Sequence, residues 1–290
     1  MYWAIDMDCA GCYLPGANAT AVEAASAQAA AISTVRPNDE AAGGIGIVPI
    51  VGPVMNRRSA LLTEFGVPHV STMELPGKLN HLANDDSISA ILMPVDSPGG
   101  MVFNLPEAHK AIMAARAKKP VIAVVIGAAA SAAYWIISAC SEIVISEAAM
   151  AGSIGVVTYH DDLTKMLAER GINTTIIATS PEKVERWPEK ELSDDARAHM
   201  QGEVDALGAM FIRDVAKGRG VDAAAVRENF GKGRMMLSAP AKAAGMVDSI
   251  GTIDSTLSRL MKTSARVKRG PARAGSRRLS AAAFGAAPAA

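Results

Sequence analysis

The sequence predicts an α/β protein with parallel βαβ units and a helical C-terminal region. Short, wholly apolar runs alternate with stretches whose apolar residues recur at helical spacing, the pattern of a parallel sheet covered on both faces. Half of the 290 residues are apolar, but only 4% are aromatic, so Ala, Ile, Val, Leu and Met must supply a closely packed core. Near the end, Val204, Leu207, Phe211 and Val215 repeat at three- and four-residue steps, which predicts one long amphipathic helix over 193–219.

Residues 1–44 read as an appendage: an Ala-rich stretch over 18–35 predicts a helix, and a Pro/Asn/Gly loop follows over 36–44. The body, over 45–261, opens with the apolar strand Gly46-Ile-Val-Pro-Ile-Val-Gly52. A helix is expected over 73–84 and a buried strand over 88–95, ending in Asp96-Ser-Pro-Gly-Gly100. A second helix follows over 105–117 and a second buried strand over 120–126. The apolar stretch 120–140 has the length of a membrane span. Gly127 and Ser131 interrupt it, and its β-branched residues fill only the first half, so it predicts strand, turn and helix, and no membrane partner. Short strands are expected over 142–146, 154–158 and 174–178, with a helix over 163–170. A short helix and turn over 237–250 close the body. The tail, 262–290, is too rich in Ala, Gly, Pro and Arg to bury a core and predicts disorder.

The formal net charge is zero, with 29 basic and 29 acidic residues. No acidic residue follows Asp254, and seven basic residues lie from Lys262 onward, which leaves 22 basic against 29 acidic residues in 1–261. The body is mildly acidic and the tail basic. A solvated linker is preferred for that tail over a surface contacting acidic proteins, and nucleic acid is not the expected partner. The three cysteines, Cys9, Cys12 and Cys140, exclude a disulfide framework and fit a reducing compartment. Cys9 and Cys12 form a lone C-x-x-C, read as two ordinary thiols. The start of the chain lacks a basic segment followed by an apolar run, so no secretory signal is expected.

Two strand-to-helix turns could carry chemistry. In Asp96-Ser-Pro-Gly99-Gly100 the glycines let the backbone turn sharply and let a ligand approach main-chain N–H groups, as an oxyanion requires. Taken alone, the segment reads sooner as plain strand–turn–helix punctuation. Gly127-Ala-Ala-Ala-Ser131-Ala-Ala-Tyr134 places a serine at a helix start among small residues that leave room for a substrate. Alone, Ser131 reads sooner as a helix cap, which is what most serines before helices are. Both turns would lie at carboxyl ends of parallel strands, where open α/β sheets bind ligands. A base is harder to find. Of His69, His81, His109, His160 and His199, only His160 follows a strand; His109 and His199 fall among solvated neighbours. A desolvated lysine is the other route to a proton acceptor, and Lys183 lies just beyond the expected strand at 174–178.

With these residues in place, the chain resembles the signal peptide peptidase A family, in its branch of phage head-maturation (capsid assembly) proteases, over about residues 45–260. The likeness rests on Asp96–Gly100, on Ala129-Ala-Ser131-Ala-Ala-Tyr134, on Gly152-Ser-Ile-Gly-Val156 and on Gly245-Met-Val-Asp248-Ser-Ile-Gly251. It implies a crotonase/Clp-protease-like fold and a serine endopeptidase acting through a Ser–Lys dyad, Ser131 as nucleophile and Lys183 as base. The family's lysine falls in the register of Thr179-Ser180-Pro181-Glu182-Lys183, where Ser180 stands for a family glycine. The resemblance also implies an oxyanion hole from Gly100 and Ala132 with Gly99 shaping the turn, and no metal or organic cofactor. It implies a protein or peptide substrate, capsid or scaffold protein above all. A homo-oligomer in which a neighbour completes the site is expected, located in the bacterial host cytoplasm or within a prohead. The rivals are a Clp-type Ser–His–Asp peptidase using His160, a crotonase-type acyl-CoA enzyme, and a non-enzymatic assembly protein.

Overall fold

The computed structural model describes residues 3–5 and 44–268. The expected helix at 18–35, the thiols of Cys9 and Cys12 and most of the basic tail lie outside the described residues. The strands are β1 (Trp3–Ile5), β2 (Ile45–Ile47), β3 (Ile50–Val51), β4 (Val54–Met55), β5 (Val70–Ser71), β6 (Ala90–Ser97), β7 (Gly99–Met101), β8 (Val121–Ala130), β9 (Glu142–Ile145), β10 (Met150–Gly152), β11 (Met235–Leu237) and β12 (Ser249–Ile250). The helices are α1 (Ala60–Glu64), α2 (Leu75–Asn84), α3 (Leu105–Arg116), α4 (Ala132–Ile137), α5 (Thr164–Glu169), α6 (Asp194–Arg219), α7 (Ala223–Asn229), α8 (Ser238–Ala243) and α9 (Ile253–Lys268).

The larger sheet is built on β6 and β8, paired in parallel from Ile91↔Val121 to Val95↔Val125, with a register shift before Ser97↔Ala129. β2 and β3 follow one another along the outer edge of β6. On the far side of β8, β9 lies along its first half and β10 along Ala128–Ala130, both parallel to it. β11 closes the sheet antiparallel to β10, and β12 pairs with β9. β6 and β8 are nearly continuous apolar runs because both sheet faces are covered. Ile91, Met93, Val95, Val121, Ala123 and Val125 turn to the main core, which they share with α2, α3, α4 and α6. Leu92, Ile122 and Val124 turn the other way, to a smaller cluster with Leu260 of α9.

The smaller sheet has the order β1-β7-β4-β5. Only Pro98 separates β6 from β7, so the segment 96–100, expected as a turn, carries the chain from one sheet into the other. Gly99 makes that change at φ 90°. At Gly100 any Cβ would lie 1.9 Å from the Val54 carbonyl oxygen, so only glycine allows β4 and β7 to cross this closely.

The long helix forms as expected. Ser193 caps it by accepting from the Ala196 N–H at 3.2 Å, and Gly220 ends it at φ 68°. The membrane-length stretch resolves into β8, a turn and α4. No helix among the described residues is long and apolar enough to cross a membrane. Two expected strands do not form. Residues 154–158 form no strand beyond an isolated bridge at Val157, with pairing shifted upstream to β10, and 174–178 finds no sheet edge, leaving Ile177 93% exposed. α9 was not anticipated. Its Ile253, Leu257 and Leu260 cover the second sheet face, and it continues to Lys268, through the expected start of the tail at 262.

Candidate active site

Ser131 stands where β8 ends and α4 begins, with φ 51° and ψ −114°. A non-glycine residue held there stores about 1–3 kcal/mol of strain. The surroundings hold it firmly. Its N–H donates to the Gly152 carbonyl at 2.7 Å, and its own carbonyl accepts the Trp135 N–H at 2.9 Å. One turn on, the Tyr134 hydroxyl donates to the Met246 carbonyl at 2.9 Å and the Trp135 indole N–H donates to Asp214 Oδ2 at 3.1 Å. Tyr134 and Trp135 are both fully buried.

The hydroxyl of Ser131 makes no capping bond to its helix. Oγ instead donates to the Gly155 carbonyl across a long 3.4 Å. The capping explanation for this serine therefore falls. The neighbouring alanines also act differently from expectation. Ala129, Ala130, Ala132 and Ala133 are fully buried, so their small side chains let α4 pack onto the sheet and do not open space above it.

The second turn is tied to the first. Asp96 Oδ1 accepts the Ala128 N–H at 3.0 Å, and a Cβ on Gly127 would lie 2.5 Å from that oxygen. Gly127 is thus the space in which the Asp96 carboxylate sits; burial pushes its pKa up, and the Ala128 bond acts against that. Ser97 Oγ donates to the Gly52 carbonyl at 2.6 Å and accepts the Gly99 N–H at 3.2 Å. The Gly99 amide is engaged within the turn. Gly100 lies on β7, which packs against α4. Ala132 is the first residue of α4, where an amide has no acceptor within its own helix. Asp96 and Gly127 were not singled out in the sequence; the signal was an acid at a strand end level with a glycine on the neighbouring strand.

Lys183 sits in a single 3-10 turn, Pro181–Val184, and its side chain is exposed. Its ammonium makes no hydrogen bond or ion pair among the described residues, and within one chain it is not brought to the buried Ser131 hydroxyl. The turn is nonetheless anchored: Val184 is buried, Arg186 reaches Glu203 of α6 at 2.6 Å, and Glu185 meets His199 at 3.2 Å. Among the histidines, His160 Nε2 bonds the Lys190 carbonyl at 3.1 Å and His69 Nε2 accepts the Ser59 N–H at 3.0 Å. His109, expected at the surface, is 2% exposed beneath α6, and its Nε2 has no partner. Burial, with smaller contributions from Lys217 and Arg116 against Asp214, lowers its pKa to about 4.

Among the described residues no cluster of three or more His, Cys, Asp or Glu is placed to hold a metal ion. Burial pushes the Cys140 thiol up to about 12, so it has no nucleophilic character.

The profile of Peptidase family S49 matches residues 113–268, more than half of the sequence and all of the chain from α4 to α9. The chain belongs to peptidase family S49. A second profile, Clp protease, matches residues 50–150, from β3 to β10. The chain is 31% identical over 173 residues to capsid assembly protease C of Escherichia phage lambda, covering 60% of this chain and 39% of that protein. It is 30% identical over 183 residues to head-tail preconnector protein GP5 of Enterobacteria phage P21, covering 63% and 36%. It is 32% identical over 177 residues to Protease 4 of Salmonella typhi, covering 60% and 28%. The matched region thus spans well under half the length of these three relatives. Membership bears out the resemblance read from the motifs, and with it the mixed α/β, Clp-like fold.

Proposed function

We propose that this S49 protein is a serine endopeptidase in which Ser131 is the nucleophile and Lys183 the base, processing capsid or scaffold protein during phage head assembly in a bacterial host. The observation that carries the reading is the conformation of Ser131: a strained, buried serine whose hydroxyl neither caps its helix nor makes a short bond elsewhere. Such strain persists only where surroundings impose it, and it is characteristic of nucleophile turns.

In the proposed reaction Ser131 Oγ attacks the scissile carbonyl while Lys183, desolvated and uncharged in the assembled site, accepts its proton. The amides of Gly100 and Ala132 face the oxyanion that forms. Collapse breaks the C–N bond, the proton passes from Lys183 to the leaving amine, and water then hydrolyses the acyl-enzyme by the reverse sequence. The exposed Lys183 and buried Ser131 support completion of the site by a second copy of the chain. The segment that bears Lys183 exposes Val157, Tyr159, Ile172, Ile177 and Trp187, apolar surface that a neighbouring copy would cover. The phage relatives favour a substrate in the prohead.

The test is co-expression with the major capsid and scaffold proteins, with intact mass measured for every product. Ser131→Ala and Lys183→Ala should each abolish cleavage, and His160→Ala should leave it. Cleavage lost in His160→Ala and kept in Lys183→Ala would instead select the Clp-type triad.

A further inference from the structure

The smaller sheet begins with a strand remote in sequence from everything it touches. β1 lies antiparallel along β7, with Trp3 opposite Met101, Ala4 opposite Gly100 and Ile5 opposite Gly99. β7 has two sides. One is held by β4 through the Val54↔Gly100 pair. The other is the edge that β1 covers, and among the described residues β1 has no further neighbour in that sheet. β7 packs against α4, the helix that Ser131 opens. An extended peptide whose carbonyl is to be held by the Gly100 amide has to run beside Gly100, and residues 3–5 occupy that lane.

We propose that β1 is an in-cis plug: the chain's own residues 3–5 fill, by strand addition to β7, the slot in which an extended substrate peptide docks, and catalysis requires their displacement. The proposal rests on the assignment of Ser131 and Gly100 to the site and adds how that site is kept closed. Strand addition recognises main chain first, so any extended segment can compete for the lane regardless of its side chains. A three-residue strand contributes only a few main-chain hydrogen bonds, each weak in net terms. Its advantage is covalent attachment through residues 6–43, which presents it at an effective concentration on the order of millimolar. A plug of this kind blocks sparse, short peptides. It yields to substrates concentrated in the same compartment or offering a longer strand.

The test uses the whole 290-residue chain and the double variant Trp3→Pro/Ala4→Pro. Successive residues of a strand point their N–H groups to opposite sides, so one of the two prolines removes a donor facing β7 whichever way the ladder is phased. Two readouts are compared: the rate at which a fluorophosphonate labels Ser131, and hydrogen exchange of the amides of residues 99–101. In the double variant, labelling should rise roughly tenfold, the loss of one or two net backbone hydrogen bonds, and exchange on β7 should rise with it. A synthetic peptide of residues 1–8 added in trans should return labelling towards the wild-type rate, and Ser131→Ala should label in neither background.

Equal labelling with equal exchange in wild type and double variant overturns the plug while leaving Ser131 as nucleophile. If no form of the protein reacts with the probe, the nucleophile assignment falls, and unchanged exchange on β7 would overturn the plug separately. Loss of the first residues from wild type but not from Ser131→Ala, read by intact mass, would make β1 a cleaved leader and sink its role as a retained inhibitor.

Discussion

Trp135 and Phe211 stack with ring centroids 4.4 Å apart and planes 9° from parallel. The contact joins the first turn of α4, directly after Ser131, to α6, which about two turns upstream of Phe211 anchors the Lys183 turn through Glu203. One aromatic pair thus ties the helix that Ser131 opens to the helix that anchors the Lys183 turn. Both rings are fully buried, so Phe211→Ala leaves a cavity beside Trp135 and should cost about 3–5 kcal/mol. Urea unfolding should show a lower midpoint with little change in slope. A loss below about 1 kcal/mol would mean that the site closes over the gap and the pair is not a structural tie.

The strain at Ser131 gives a second expectation. Glycine takes φ 51° without penalty, so Ser131→Gly removes about 1–3 kcal/mol of strain and adds about 0.5–1 kcal/mol of chain-entropy cost. The net should be a protein more stable by about 1 kcal/mol and devoid of cleavage. Ser131→Ala keeps the strain and should be equally inactive with no gain in stability. Denaturant midpoints of the three proteins, measured side by side, decide it. A Ser131→Gly protein less stable than Ser131→Ala would show that the backbone here is unstrained.

How much of this was legible beforehand depends on whether the signal was local. The turn at Ser131 was readable because an apolar β-branched run gives way to Gly127 and alanines, although β8 carries on through them to Ala130 before the chain turns. Residues 174–178 have β-propensity, with two threonines and two isoleucines, but propensity supplies no partner, and no sheet edge reaches them. The pairing of β1 with β7 joins residues almost a hundred positions apart, and nothing local encodes it. His109 was misread for an avoidable reason. Leu105, Ala108, His109 and Ile112 form the i, i+3, i+4, i+7 stripe of α3, so the helical period placed the imidazole in the core while its charged neighbours suggested solvent. Lys183 could be proposed as a base only through the resemblance, because it lies in an exposed turn with no periodic context.

That buried imidazole makes stability depend on pH. In the unfolded chain a histidine takes up its proton near 6.5, whereas burial holds folded His109 neutral down to about 4. Between these values the unfolded state binds the extra proton, so stability rises with pH across the window and is lost as pH falls from 6.5 towards 4. The full effect is about 3 kcal/mol. His109→Gln, which cannot charge, should flatten the dependence of the urea midpoint between pH 6.5 and 4, relative to wild type. An unchanged slope would show that other groups carry the acid sensitivity. Glu74, held down to about 2 by Arg58 and Lys78, adds its own loss of stability below about pH 5, but it does so equally in wild type and variant and cancels in the comparison.

The exposure of Lys183 beside the burial of Ser131 leads to an expectation about assembly. If the base is supplied by a neighbouring copy, a Ser131→Ala chain still offers its lysine, and a Lys183→Ala chain still offers its serine. Mixed together, neither variant being active alone, they should regain cleavage, because random mixing pairs an intact serine with an intact lysine at about a quarter of the sites in a closed ring. If each chain completes its own site, every copy lacks one member and no mixture recovers. Co-expression of the two variants with separable tags, purification through both tags and a peptide-cleavage assay distinguish the cases. Doubly tagged assemblies without activity would place the base within the same chain. The 155–192 segment would then have to fold inward over Ser131 to reach it, burying surface that now includes Ile177 and Trp187.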